Sequence, residues 1–276
     1  MINRIRKRLH SGSRYRGEIM KDKEKVLQQF GRNAANYVTS NSHAKGDDLR
    51  QLVEIIAGRN RGGAVLDVAT GGGHVANALA PLFKQVIALD LTPEMLEKAK
   101  SFIESNGHGN VAFVQGDAEN LPFPNSSFGT VTCRIAAHHF PDVRQFVREV
   151  LRVLQDNGLF ILVDNVAPEI QEFDQFYNLA EKARDHSHVR AYKKTEWIAM
   201  LEEEGFTVEN MATFKKKFIF DNWCSMITLP LEEKEQLNAY MMGATEDLRQ
   251  YFHIEQHGEQ VQSFQGQSML LTCIKR

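Results

Sequence analysis

The sequence predicts an α/β fold in which a doubly wound, mostly parallel seven-stranded sheet carries helices on both faces and a small helical cap. Three observations indicate it. Short apolar runs alternate with helix-forming segments along the 276 residues, one of these runs ends in a glycine-rich turn, and acids follow the next two runs. Strands separated by helices are parallel, because a return to the same edge of a sheet needs a crossover of about a dozen residues or more.

Seven short apolar runs bounded by polar residues or glycine are predicted to form the strands. In chain order they are Ala64–Val68, the run ending at Asp90, Val111–Val114, Phe128–Arg134, Leu159–Val163, Thr207–Phe214 and Ser268–Ile274. The helices are predicted from apolar residues at a period near 3.6 and from signals at their ends. They are Glu24–Tyr37, Leu49–Ala57 ending at Gly58, a helix to about Phe83, Thr92 to Gly107, Pro141 to Asn157, Glu169–Arg184, Thr195–Glu204 and an insertion over Leu231–Tyr251.

The helix after the second strand has the clearest start signal. Thr92 can cap it, Pro93 suits the first helical position, and Glu94 complements the positive end of the helix. Gly205 is predicted to end a later helix in the same way that Gly107 ends this one. These signals fix where the chain turns back toward the sheet.

The first strand ends in a glycine-rich turn, read as V-L-D-V-A-T-G-G-G from Val65 to Gly73. Glycine lets backbone approach a ligand, because it lacks Cβ and adopts positive φ without penalty. The helix starting near His74 would direct unpaired N–H groups at whatever occupies the turn. A cofactor site is predicted, although Gly71-x-Gly73-x-x-Ala76 also fits the dinucleotide fingerprint and glycine runs also form plain tight turns.

Acids close the next two strands. Asp90 ends the second, where an acid of a doubly wound sheet meets a pair of ribose hydroxyls, and Gly116-Asp117-Ala118 follows the third. Two such acids after a glycine turn describe a nucleoside held at its ribose and its base. The residues expected along this edge of the sheet are Gly71, Asp90, Asp117, Arg134 and Asp164, the last of which is equally typical of a turn or a helix cap.

With these residues in place, Gln29 to Phe206 resembles the class I S-adenosylmethionine-dependent methyltransferases, and in particular the small-molecule branch similar to the ubiquinone and menaquinone biosynthesis enzymes. The resemblance implies S-adenosyl-L-methionine as cofactor. It places the family's loop on Asp67, Ala69, Gly71 and Gly73, its ribose-binding acid on Asp90, and its adenine-contacting acid on Asp117. The implied cofactor-binding residues are Tyr37, Asp67, Ala69, Gly71, Gly73, Asp90, Leu91, Asp117, Ala118 and Arg134.

Two of these assignments are qualified by the residues themselves. Tyr37 is implied to close over the methionine end of the cofactor, but packing in the core is an equal alternative. The backbone of Arg134 can meet the cofactor's ammonium group, whereas its positive side chain should stay away from that group.

The chemistry expected from this cofactor is direct displacement, because the sulfonium methyl group is already electrophilic and the protein mainly aligns a nucleophile and excludes water. A phenol or carbon acid would also need a general base. His138 and His139, directly after the fourth strand, are the first candidates, although the pair can instead cap the helix that starts at Pro141. His186 is a weaker candidate, in a polar loop that is either a lid over the acceptor or a solvated surface loop.

Composition narrows the partners. A net charge of −2 gives no general attraction to nucleic acid or anionic membrane, and there is no uninterrupted apolar stretch of about 18 residues to span a bilayer. The cysteines Cys133, Cys224 and Cys273 lack paired spacing, which predicts neither a disulfide framework nor a metal site and favours a cytoplasmic location. The expected partner is a small-molecule acceptor methylated on carbon or oxygen. No oligomeric state is predicted.

One segment stands outside the predicted domain. Residues 1–19 carry six cations against one acid and are predicted to be a basic, flexible tail, with an organelle transit peptide or an added extension as alternatives. Residues 20–276 are predicted to be a single domain with cap elements near 169–195 and 220–262. The charged run Lys215-Lys216-Lys217 is predicted to be a solvated face.

Two functions of other classes compete with methyl transfer. A nicotinamide-dependent oxidoreductase would share the turn and Asp90, but would leave Asp67 and the Gly116-Asp117-Ala118 block without a role. A noncatalytic module binding protein or nucleic acid would need a basic face, which the sequence does not present beyond its first nineteen residues.

Overall fold

The computed structural model describes residue 17 and residues 19–33, 46–59 and 62–276. Its strands are β1 (Ala64–Val68), β2 (Gln85–Asp90), β3 (Val111–Gln115), β4 (Phe128–Arg134), β5 (Leu154–Asn165), β6 (Phe206–Ile219), β7 (Glu255–His257) and β8 (Gln260–Lys275). Its helices are α1 (residues 19–33), α2 (Asp47–Arg59), α3 (His74–Leu79), α4 (Pro93–Ser105), α5 (Val143–Val153), α6 (Gln171–Arg184), α7 (Lys194–Glu204), α8 (Phe220–Ser225), α9 (Leu231–Met242) and α10 (Glu246–Tyr251). Short 3-10 turns occupy Ala80–Leu82 and Ala137–His139.

The strands form one sheet in the order β3-β2-β1-β4-β5-β8-β6. Strands β1 to β5 pair in parallel, whereas β8 runs antiparallel to both β5 and β6. The predicted doubly wound α/β class is therefore confirmed. All seven predicted strands occur, and the short β7 adds an eighth by pairing with the start of β8. Winding reverses between β1 and β4, and a crevice opens beyond the carboxyl ends of strands at such a reversal.

The central strands are buried on both faces, as parallel strands between helices should be. Along β1, Leu66 and Val68 join a cluster with Phe146 of α5 and Trp197 of α7. Val65 points to the other face and joins the cluster that includes residues of α2 and α3. The alternation of one strand thus stabilises both helical layers.

A third cluster lies outside these layers. It packs Phe176 of α6 with Trp223 of α8, Leu237 of α9, Phe252 and Phe264. These helices fall in the two segments predicted to form the cap. Across the described parts of the chain, no helix combines the length and hydropathy needed to cross a membrane.

Some element ends differ from the expectations. Helix α2 continues through Gly58 to Arg59, because an exposed glycine lowers helix stability without forcing an end. Helix α5 ends at Val153 rather than at Asn157, since the chain enters β5 directly at Leu154. Gly205 ends α7 as predicted, with a φ of 112°.

Replacing Gly73 should destabilise the fold. Its φ is 82°, and a Cβ built on it would lie 2.9 Å from Ile103 Cδ1 and 3.0 Å from Ala99 Cβ on α4. We expect Gly73→Ala to lower the free energy of unfolding by about 1–3 kcal/mol, through backbone strain and overpacking. Urea unfolding followed by circular dichroism measures it.

Gly58 is the matched control, because it lies in a helix and a Cβ there meets no atom of the described residues within 4 Å. Gly58→Ala should raise the free energy of unfolding by about 0.5–1 kcal/mol. An unchanged midpoint for Gly73→Ala would show that the turn does not require glycine.

Candidate functional site

A cavity of about 110 Å³ lies beyond the carboxyl ends of β1 to β4, where the winding reverses. We call it the inner cavity. It brings together many of the residues predicted for the cofactor, joined by side chains of α1. The predicted residues that line it are Ala69, Gly71, Asp90, Leu91, Asp117, Ala118, Arg134 and His139.

The glycine-rich turn is held in place from behind by Asp67. Its Oδ2 accepts a hydrogen bond from Thr70 Oγ1 at 2.6 Å, and its Oδ1 accepts one from Thr132 Oγ1 at 2.8 Å. Burial raises the pKa of Asp67 to about 6. Asp67 and Gly73 both lie outside the cavity lining, so the structure gives these two predicted cofactor residues a supporting position. Ala69 and Gly71, which do line it, have φ of 53° and 54°.

Asp90 ties the end of β2 to the glycine-rich turn. Its Oδ2 accepts the N–H of Gly71 and its Oδ1 accepts the N–H of Thr92, both at 2.9 Å. Burial raises the pKa of this carboxyl. Since a carboxylate has about four acceptor positions, two further hydrogen bonds to a ligand remain available.

Asp117 is bridged to the amino-terminal helix. Lys23 of α1 places its ammonium 2.6 Å from Asp117 Oδ2 and 2.5 Å from Glu119 Oε2. Burial opposes the charge on Lys23, but the two carboxylates prevail and raise its pKa. Neither Lys23 nor Glu119 was predicted as a site residue, because no local motif reveals which distant helix covers the turn.

The side chain of Arg134 pairs with Asp48 of α2. Its Nε and Nη2 donate to Asp48 Oδ2 and Oδ1 at 3.0 and 3.1 Å, and both side chains are buried. Burial would raise the pKa of Asp48, but the Arg134 guanidinium outweighs it and lowers the pKa. The positive charge of the guanidinium is thus neutralised by Asp48 of α2.

A second cavity, of about 580 Å³, adjoins the first and is called here the outer cavity. Phe30, Ile135 and His139 line both. Ile135 has a φ of 55°, which is strained for a β-branched residue, and its N–H donates to Val163 O at 2.7 Å. The remaining wall comes mainly from β6, α6 and α8, and the volume suits a small organic molecule.

His138 is held by Asp164 at the end of β5. Its Nδ1 lies 2.5 Å from Asp164 Oδ1, and its backbone N–H donates to Asp164 Oδ2 at 2.8 Å. Burial would lower the pKa of His138, but the Asp164 carboxylate outweighs it and raises the pKa. His138 lines the outer cavity but not the inner cavity.

His139 has a different partner. Ser187 Oγ donates to Asp185 Oδ1 at 2.5 Å, so it can only accept from His139 Nδ1, 3.2 Å away. The proton of the neutral ring therefore sits on Nδ1, which leaves Nε2 as an acceptor. Burial, together with the neighbouring His138, lowers the pKa of His139 to about 4. His139 is thus a neutral base at physiological pH.

One predicted residue is not part of this arrangement. His186 is exposed, pairs with Glu233 Oε2 at 2.9 Å, and lines neither the inner nor the outer cavity, because its loop directs it toward α9. It is therefore removed from the base candidates. Tyr37 lies outside the described residues.

The prediction that Lys215, Lys216 and Lys217 form a solvated face is wrong for Lys216. Along β6 the half-buried positions alternate with exposed ones, so that Lys216 shares a face with Phe214 and Phe218 while Lys215 and Lys217 are exposed. Lys216 lines the outer cavity. The period-two pattern F-x-K-x-F is a signal that the sequence carries, but it becomes informative only once this stretch is known to be a strand.

Comparisons with known proteins bear on this site. A methyltransferase domain family matches residues 66–162. An uncharacterized methyltransferase of Bacillus subtilis (strain 168), YcgJ, is 39% identical over 249 residues, covering 90% of this chain and 98% of YcgJ. A crystal structure of a Bacillus halodurans C-125 protein is 50% identical, with a TM-score of 0.81 over 83% of this chain and 99% of that one. The ubiquinone/menaquinone biosynthesis C-methyltransferase UbiE of Pseudomonas fluorescens (strain SBW25) is 32% identical over 152 residues, 52% of this chain and 59% of UbiE.

The two adjacent histidines should titrate apart. In an NMR titration of the imidazole protons, we expect a pKa above 6.5 for His138 and about 4 for His139. Asp164→Asn removes the charge that favours protonated His138 and should lower its pKa. A His138 that titrates below 6.5 in the wild type would contradict this assignment.

The raised pKa of His138 should also make the stability of the fold depend on pH. A raised folded-state pKa stabilises the fold fully below the unfolded value of 6.5, and this stabilisation is lost as pH rises through the folded value. The difference in unfolding free energy between wild type and Asp164→Asn should therefore be larger at pH 6 than at pH 9, as measured by urea unfolding at both pH values.

Proposed function

Because the chain belongs to the S-adenosylmethionine-dependent methyltransferases, we propose that it methylates a carbon or oxygen atom of a small molecule bound in the outer cavity. S-adenosylmethionine is its cofactor, and the nicotinamide-dependent and noncatalytic alternatives are set aside. One observation carries the proposal. A cavity built from the cofactor motif meets a larger cavity at Phe30, Ile135 and His139, which line both.

The residues of the inner cavity fit this cofactor. Asp90 keeps acceptor positions for two ribose hydroxyls, and Leu91 lies beside it. Asp117 and Ala118 would hold the adenine. A Cβ on Gly71 would fill space that only Met95 borders, at 3.8 Å, so backbone can approach the methionine portion there.

Helix α1 must adjust when the cofactor enters. The inner cavity, at about 110 Å³, is smaller than the roughly 300–1,000 Å³ typical of ligand pockets. Lys23 and Phe30, which line it from α1, are the side chains that would move. The Lys23 ion pairs with Asp117 and Glu119 would then open or rearrange around the adenine.

The protein's own contribution is alignment, exclusion of water and proton removal. Bound S-adenosylmethionine supplies an electrophilic methyl group, so no further activation of the donor is needed. Phe30 and Ile135 make the junction apolar, which excludes competing water. His139, with Nε2 unprotonated and Nδ1 held by Ser187, would remove the acceptor's proton as general base. His138, held protonated more readily by Asp164, is better suited to orienting a negative oxygen of the acceptor.

Cofactor binding should depend on Asp90. In isothermal titration with S-adenosylhomocysteine, the demethylated cofactor, we expect Asp90→Ala to weaken binding about tenfold or more, because a charged hydrogen-bond acceptor is lost. Asp156→Ala, which removes an aspartate whose side chain is 86% exposed, should bind like the wild type. Wild-type affinity in Asp90→Ala, or no binding by the wild type, would refute the proposed site.

Proton removal should depend on His139. Phenols and carbon acids are screened with cofactor radiolabelled on its methyl group, and the best acceptor is used for kinetics. We expect His139→Gln to lower kcat by about a hundredfold or more and to leave the Kd for S-adenosylhomocysteine unchanged. His186→Gln is the matched control and should retain kcat, since its ring is exposed and pairs with Glu233. Equal kcat for both variants would exclude His139 as the base.

A further inference from the structure

We propose that the acceptor is an apolar carboxylic acid whose carboxylate binds the ammonium of Lys216 in the outer cavity. This rests on the proposed function, because it assumes that the acceptor occupies that cavity. The carboxylate would be an anchor, not the methylated group. Lys216 lines the outer cavity but not the inner cavity, whereas His139 lines both.

Lys216 is placed among apolar side chains by the register of β6. It lies between Phe214 and Phe218 on the half-buried face of the strand. Only 23% of its side-chain surface is exposed. Lys217, one residue further, lies on the opposite face and pairs with Glu255 Oε2 at 2.7 Å. Lys216 is therefore the one lysine of the run on the half-buried face, while Lys215 and Lys217 border the cavity from exposed positions.

The charge on Lys216 is poorly compensated. Among the residues that the structure describes, its ammonium makes no hydrogen bond, and its nearest carboxylate oxygen is Asp48 Oδ2 at 3.9 Å. That oxygen already accepts from Arg134 Nε at 3.0 Å, and the other oxygen of Asp48 accepts from Arg134 Nη2. The guanidinium of Arg134 thus occupies both oxygens of the Asp48 carboxylate, which would otherwise be the partner of the Lys216 ammonium.

Three other charged residues around the outer cavity have partners. Arg184 Nε donates to Trp223 O at 2.9 Å, its guanidinium lies 5.0 Å from the centre of the Trp223 ring, and its Nη1 is 3.5 Å from Glu181 Oε2. Asp185 accepts from Ser187. Glu181 and Arg184 therefore balance one another, while Lys216 keeps an unmatched positive charge.

The burial of Lys216 also favours an anionic ligand. Burial lowers its pKa, Asp48, Asp164 and Glu181 raise it, and Arg134 lowers it further. A buried ammonium without a close partner is costly, and a ligand anion would remove that cost on binding.

The kind of anion follows from Lys216, the one lysine of the run on the half-buried face of β6. Lysine is a point charge that one carboxylate can neutralise, whereas a phosphate dianion would keep one charge unpaired. Phe30, Phe214, Phe218 and Trp223 form apolar walls around the same space. A molecule with an aromatic or aliphatic body and one carboxylate matches both the walls and the charge.

The experiment measures binding of matched probes to the whole protein saturated with S-adenosylhomocysteine. Phenylbutyrate and naphthylacetate are each compared with their primary amides, and phenyl phosphate is included. Dissociation constants come from ligand-observed NMR for the wild type, Lys216→Met, Lys216→Arg and the control Lys100→Met, which changes a lysine of α4 that is 57% exposed and outside the lining of the outer cavity. Thermal melting checks that each variant is folded.

We expect the wild type to bind a carboxylate about tenfold or more tightly than its amide, as is typical of a charged hydrogen bond. Lys216→Met should lose that preference, whereas Lys216→Arg and Lys100→Met should retain it. If Lys216→Met does not fold, the wild-type comparison of carboxylate with amide decides alone.

The proposal is overturned by equal binding of carboxylate and amide, by the absence of carboxylate binding, by a preference for phenyl phosphate, or by a preference that survives in Lys216→Met. Binding of S-adenosylhomocysteine, measured first, separates the two proposals. Its absence means that the proposed function has failed, whereas its presence without a carboxylate preference overturns only the role of Lys216.

Discussion

The buried ion pair between Asp48 of α2 and Arg134 of β4 is the interaction on which the arrangement of both cavities depends. It fastens α2 to the edge of the sheet, and removing one partner of such a pair typically costs about 3–5 kcal/mol. It also directs a positive side chain away from the inner cavity, which Arg134 lines. On the outer side it occupies both oxygens of Asp48, so that Lys216 is left with a carboxylate only at 3.9 Å. One ion pair therefore sets the charge on both sides of the β4 edge.

Two neighbouring histidines at the same edge of the sheet differ in pKa. His138 and His139 follow one another in a 3-10 turn, with ring centroids 4.2 Å apart. Protonation of one disfavours protonation of the other, and the partners decide which takes the charge. Asp164 contacts His138 directly, whereas Asp185 reaches His139 only through the hydroxyl of Ser187. A carboxylate in direct contact outweighs one that acts through a hydroxyl, so the pKa of His138 rises and that of His139 falls.

Much of the fold and of the inner cavity could be predicted because the signals are local. Glycine turns, helix starts and strand-ending acids such as Asp90 and Asp117 are each encoded within a few residues, and parallel topology then brings the strand ends together. The contributions of Lys23 and Lys216 could not be predicted in this way. Lys23 depends on which distant helix covers the turn, and Lys216 depends on the face that β6 presents. The position of His186 outside both cavities could not be predicted for the same reason, since the direction of a loop is set by tertiary packing.

This difference between local and tertiary signals also divides the reaction between two parts of the chain. The matched methyltransferase domain, residues 66–162, contains the strand ends and turns that line the inner cavity. The outer cavity instead takes its Phe214–Ile219 wall, Arg184 and Trp223 from beyond that region. Cofactor binding can therefore be inferred from family membership, because it uses the shared elements. In the proposed function, acceptor selection would follow from β6, α6 and α8, whose side chains set the shape and charge of the outer cavity. For that reason the substrate named for a relative that matches only half of the chain carries less weight than the Lys216 ammonium in the outer cavity, whose nearest carboxylate oxygen lies at 3.9 Å.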